Sequence, residues 1–169
     1  MGRALEESPE SVAVRGSLLA LELAPPAGRH EQPRLSHLRT AAEALRDGLA
    51  GDRESLRRGS EQLAGWGPGL TPAGDDYLCG TMLRARLDHP AGETLCQVVA
   101  EAAAPRTTTL SAAWLRAAAN GECTAAWHRL LGALVGRGVL EAALLSVLAH
   151  GATSGADTLA GFLALNRVH

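Results

Sequence analysis

The chain has 169 residues, 46% of them hydrophobic and only 3% aromatic, with 16 basic against 18 acidic side chains and a net charge of −2. That length suits one domain with a real core, and the near-neutral balance without a basic block argues against a nucleic-acid partner. Every basic residue is arginine, which excludes a phosphate-loop lysine and a Schiff-base lysine.

No apolar run reaches the length of a membrane span, and Met1 to Glu10 is polar and acidic, so neither an anchor nor a signal peptide is expected. Cys79, Cys96 and Cys123 are scattered without a CxxC spacing. Buried, reduced thiols in a cytoplasmic protein are expected from that pattern, not a zinc site or a disulfide frame.

In chain order, residues 1–10 read as a frayed terminus. Val12 to Leu23 is the strand-like part: Val12 and Val14 alternate with polar neighbours, and Leu18 to Leu23 is mostly apolar. Ala24 to Pro33 carries Pro25, Pro26 and Gly28 and reads as a linker. Residues 1–34 are therefore expected to form a tail, a short β element and a linker, and residues 35–169 a helical domain. Within it, helices are predicted from Ser36 to Leu49 and, capped by Asp52, to about Ala64.

Residues 65–80 contain five glycines, two prolines and adjacent carboxylates. Gly67-Pro68-Gly69 suits a tight turn with a residue at positive φ. Thr71 before Pro72 predicts an N-cap and a helix from Pro72 to about Leu87. Further helices are predicted over 93–104, from Ser111 or a preceding Thr to Asn120, over 123–135 and 138–149, and from the 150–157 segment to about Asn166. The expected fold is mainly α, a compact multi-helix domain with a short N-terminal β element.

Three polar patches stand at helix starts in this Ala-rich chain: 65–76, 106–111 and 150–157. Each has a plain structural explanation. Asp75 and Asp76 complement a helix dipole, His150 suits a helix C-terminus, Ser154 and Asp157 outline a capping box, and Thr107, Thr108 and Ser111 form a capping cluster. Gly74 in a first helical turn, however, suggests close approach of another backbone or a ligand. If the patches converge, they assemble backbone donors, hydroxyls, three carboxylates, Arg106 and His150, a set suited to a small anionic or phosphorylated ligand with or without a divalent ion.

Gly65-x-Gly67-Pro68-Gly69-Leu70-Thr71-Pro72-Ala73-Gly74-Asp75-Asp76, then Arg106-Thr107-Thr108-x-Leu110-Ser111, then Thr153-Ser154-Gly155-x-Asp157-x-Leu159-x-Gly161 resemble the AllH-like family over about residues 55–166. The resemblance implies a subunit of a multisubunit oxamate carbamoyltransferase, which interconverts oxalurate and phosphate with oxamate and carbamoyl phosphate in allantoin and purine nitrogen catabolism. It also implies partner subunits, and family members that are longer, with a β-rich region ahead of the helices.

On this reading Gly67, Gly69, Thr71 and Gly74 shape an anion loop, while Arg106, Thr107, Thr108 and Ser111 neutralise and hydrogen-bond the anion. Thr153, Ser154 and Asp157 close the site. Asp75 and Asp76 hold a cation, with Mg²⁺ the candidate, or accept the amide donors of a carbamoyl group, and His150 joins them as a catalytic candidate. Two other readings stay open: a non-catalytic scaffold binding partner proteins, and a Mg²⁺-dependent hydrolase using Asp75, Asp76 and Asp157.

Overall fold

The computed structural model describes residues 17–19 and 33–165. Among them are eight α-helices: α1 (Pro33–Leu49), α2 (Arg53–Leu63), α3 (Ala73–Asp88), α4 (Gly92–Ala103), α5 (Thr109–Ala119), α6 (Ala125–Leu134), α7 (Leu140–Leu148) and α8 (Ser154–Ala164), with a 3₁₀ turn at Ala104–Arg106. The mainly helical architecture is as expected.

The β element is not supported. No described residue is in a strand, and Leu18 and Leu19, inside the expected apolar strand, are helical and buried. The Leu18 N–H donates to the Asp157 carboxylate at 2.6 Å, so a side chain takes the place of a strand partner. Val12, Val14 and residues 20–23 lie outside the described residues, as do most of the linker and Asn166.

Local chemistry explains the helix ends. Asp52 caps α2, accepting from the Glu54 and Ser55 N–H groups at 3.1 and 3.2 Å. Thr108 caps α5 by accepting from Ser111 N–H at 3.1 Å, so a preceding Thr and not Ser111 is the cap. Pro105 diverts the end of α4 into the 3₁₀ turn.

Helix packing rests on paired small residues. On α3 and α8, a Cβ on Gly80 would lie 1.8 Å from the Thr158 carbonyl oxygen, and one on Gly161 would lie 1.8 Å from that of Tyr77. The two backbones therefore touch, and the buried Thr81 hydroxyl between them lies 3.0 Å from Tyr77 O and 3.3 Å from Gly161 O. Gly48 against Leu56 and Gly59 against Leu45 do the same for α1 and α2. Leu45, Leu56, Leu63, Leu78, Met82, Val99, Leu115 and Val147 fill the core between these pairs. Trp127 of α6 meets Phe162 of α8 with ring centroids 5.1 Å apart.

Candidate functional site

The glycine-rich segment turns the chain from α2 into α3. Gly65, Gly67 and Gly69 all have positive φ (70°, 112° and 96°), a backbone that β-carbons disfavour. Gly74 is the close approach that its position suggests, and its neighbour is backbone: a Cβ there would lie 2.0 Å from Leu63 O, while Gly74 N–H donates to Trp66 O at 2.9 Å.

Helix α3 starts one residue later than expected, with Pro72 at the cap position and no side-chain cap bond. Thr71 is therefore not the N-cap. Its Oγ1 instead lies 3.2 Å from Ser154 Oγ at the start of α8, joining the first patch to the third.

The adjacent acids part company. Asp75 is buried and turned toward the second patch, where it accepts from Gly65 N–H at 2.9 Å, Ser111 Oγ at 2.8 Å and Thr107 Oγ1. Thr108 Oγ1 adds a bond of 2.5 Å to Leu70 O, fastening the glycine loop to α5. Arg106 pairs with Glu61 at 2.9 Å and is half exposed. The first two patches thus meet in a closed knot.

Asp76 faces the other way, into a cleft shared with Thr71, Cys79, Trp114, Glu122, Cys123, Thr124, Trp127, His150, Ser154 and Thr158, and floored by Leu83, Ala118 and Val147. The cleft encloses about 650 Å³, its open mouth included. Asp76 Oδ2 is buried without a hydrogen-bond partner. Burial, with the nearby Asp157 and Asp75 charges adding to it and the Ser154 hydroxyl opposing, pushes the Asp76 carboxyl up to about 7. The same burial and the two carboxylates push the Cys79 thiol far above the ordinary range, so it stays protonated.

The third patch does not form a capping box. Ser154 is the first residue of α8, Thr153 holds the cap position without a side-chain cap bond, and Asp157 spends Oδ1 on Leu18 N–H. Asp157 Oδ2 is also buried without a partner, and burial raises its carboxyl. His150 stands just past the C-terminus of α7 and lines the cleft mouth.

The folded chain therefore gathers Thr71, Asp76, His150 and Ser154 in one cleft. It places Asp75, Thr107, Thr108, Ser111 and Arg106 in the knot, and Asp157 behind the cleft. Gly67, Gly69 and Gly74 shape the segment between them, and Thr153 precedes α8. A shared Mg²⁺ on Asp75 and Asp76 does not fit, because the Asp75 oxygens are already held by three protein donors. Among the described residues no group of three or more His, Cys, Asp or Glu side chains is arranged to hold a metal ion.

Sequence reasoning did not single out Cys79, Trp114, Glu122, Cys123, Thr124 or Trp127. Cys79 lies one turn after Asp76, with Thr71 just ahead of the helix, and that spacing was a usable signal. The others arrive on α5, on α6 and on the turn between them, which only the tertiary packing reveals.

No described helix is long and apolar enough to cross a membrane. No solved structure matches the chain. Residues 63–165 match the family described as oxamate carbamoyltransferase subunit AllH. That match spans more than half of the chain, which belongs to this family.

Proposed function

We propose that this AllH-family chain serves an oxamate carbamoyltransferase by holding the amide end of the substrate in the Asp76 cleft. The observation that carries the reading is Asp76, which lines the cleft and has its Oδ2 buried without a hydrogen-bond partner. A buried carboxyl oxygen left alone is costly, and an amide N–H is the donor that would satisfy it. The mutually bonded hydroxyls of Thr71 and Ser154 line the cleft beside it, and Trp114, Trp127 and Leu83 supply an apolar wall that excludes water.

A carboxyl poised near neutral pH also suits proton transfer. In the forward step the oxamate amide nitrogen attacks the carbamoyl carbon of carbamoyl phosphate. A C–N bond forms, the C–O bond to phosphate breaks, phosphate departs with the electron pair, and the nitrogen proton passes to Asp76. Oxalurate is the product. The Asp75 knot holds the glycine segment so that Asp76 keeps its aim.

The test is a melting and titration series on the full chain with oxamide, oxamate, oxalurate, carbamoyl phosphate and phosphate. A ligand at 100 times its Kd stabilises by about 2.7 kcal/mol. Stabilisation by an amide-bearing ligand, lost in Asp76→Leu (similar in size, unable to hydrogen-bond), supports the reading. An unchanged response in that variant sinks it.

The scaffold reading keeps one observation in its favour. Leu134, Val135, Val139, Leu140 and Leu145 are exposed around the α6–α7 turn, an apolar surface that suits a protein partner. It is compatible with the cleft reading, since a subunit has partners in either case. The Mg²⁺ hydrolase reading loses Asp75 to the knot, and Asp157 already accepts from Leu18 N–H outside the cleft.

A further inference from the structure

The cleft has the wrong charge for the ligand proposed for it. Its ionisable side chains besides the thiols are Asp76, Glu122 and His150, and none of the arginines in the described residues lines it. Several are engaged elsewhere: Arg84 with Asp88 at 2.5 Å, Arg86 with Ala119 O at 2.8 Å, Arg106 with Glu61, and Arg129 with Ser146 Oγ at 2.8 Å. Among the described residues, a small amide that also carries a carboxylate or phosphate would meet two acids and no permanent cation, an arrangement that repels it unless a positive group arrives from outside.

The cleft mouth is also bordered by uncovered apolar surface. Leu70, Leu110 and Trp114 are 71%, 46% and 45% exposed. Leu110 and Trp114 are four residues apart on one face of α5. The Thr108 bond to Leu70 O brings the glycine loop to the start of that helix. Trp114 lines the cleft as well, so rim and cleft are one continuous surface. An exposed tryptophan flanked by leucines is the usual anchor of a protein contact.

We propose that the site is completed in trans. A partner subunit seats an apolar surface on the Leu70, Leu110 and Trp114 rim and places an arginine or lysine over the mouth, where it takes the anionic end of the substrate while Asp76, Thr71 and Ser154 hold the amide end. The occupant is a subunit with a basic residue beside an apolar contact, because among the described residues the cleft offers two carboxylates and no fixed cation. This inference rests on the amide reading of the cleft.

The test compares oxamate with its neutral analogue oxamide by calorimetric titration at pH 8. The full chain alone is expected to bind oxamide at least tenfold more tightly than oxamate. In the assembled enzyme purified with its partner subunits the preference reverses. Leu110→Glu, whose side chain is exposed and whose melting temperature stays that of the wild type, keeps oxamide binding but does not regain oxamate in the presence of the partners.

Equal or tighter oxamate binding by the chain alone overturns the inference, since the cation then belongs to this chain, and leaves the amide reading standing. Wild-type oxamate binding by Leu110→Glu in the assembled enzyme overturns the rim as the seat. A dimer of the isolated chain that Leu110→Glu dissolves assigns the rim to a second copy and overturns the partner. Failure of both preparations to bind either amide sinks the amide reading itself and this inference with it.

Discussion

The knot around Asp75 and the cleft around Asp76 lie on opposite sides of one peptide bond. On the knot side every acceptor is answered: a backbone N–H and two hydroxyls from two other segments converge on one carboxylate. On the cleft side an oxygen of the same residue type is buried and unanswered, its carboxyl near neutrality at about 7. The knot spends its hydrogen-bonding capacity on the fold, and the cleft withholds it. A carboxylate bonded on all sides is a structural clamp, whereas one with an oxygen left unpartnered has capacity for a ligand.

The largest effect should come from breaking the clamp. Asp75→Ala strands a backbone N–H and the Thr107 and Ser111 hydroxyls. At about 1.5–3 kcal/mol for each hydrogen bond to a charged group, a loss of roughly 3–5 kcal/mol is expected after partial relaxation, readable by urea unfolding. A smaller loss than 1 kcal/mol would show that the knot is not a clamp.

Gly80→Ala should come next. Its Cβ falls 1.8 Å from Thr158 O, so α3 and α8 must separate, at a cost of about 1–3 kcal/mol or more. Asp76, Cys79 and Leu83 of α3 and Ser154 and Thr158 of α8 line the cleft, so ligand binding should fall together with stability.

On the cleft side the sign reverses. The folded Asp76 carboxyl, at about 7 against a reference of 3.8, holds its proton more tightly than the unfolded one. Its contribution to stability is present below pH 3.8 and is lost as pH rises toward 7. Asp76→Asn, which cannot ionise, should melt higher than the wild type at pH 8 and flatten that dependence. A gain of about 1 kcal/mol would move Tm by about 2–4 °C. An Asn variant less stable at pH 8 than at pH 5, as the wild type is, would mean that another group carries the dependence.

The smallest effect belongs to Arg106→Ala. The pair with Glu61 is solvent-exposed, so a loss of about 0–1 kcal/mol and no change in ligand titration are expected.

The helices were legible because punctuation marks them. Asp52, Pro105 and Gly121 sit where the chain needs a cap, a stop and a left-handed turn, and helix propensity agrees with packing between them. The contact of the first patch with the other two was only conditional in the sequence, since each cluster also has a local capping explanation; the bonds of Thr71 to Ser154 and of Asp75 to Thr107 and Ser111 are tertiary. The division of labour between Asp75 and Asp76 was not. Adjacent residues on a helix point about 100° apart, and which one meets Thr107 and which meets the cleft depends on how α3 is rotated against α5 and α8. The Thr71-Pro72 pair satisfies the local rule for a cap, but Ser154 competes for the Thr71 hydroxyl from across the fold. Gly80 and Gly161 were visible as glycines inside helical stretches, yet only the crossing gives them a reason.

The Leu18 bond to Asp157 bears on where this protein can be cut. The stretch of family similarity, 63–165, excludes Leu18, Leu19 and both helices of the α1–α2 hairpin. A fragment trimmed to that stretch would deprive Asp157 of its backbone donor and uncover the apolar flank that α2 shields on α4. A truncation series should lose its cooperative melt when residues 17–62 go, well before the glycine-rich segment is touched.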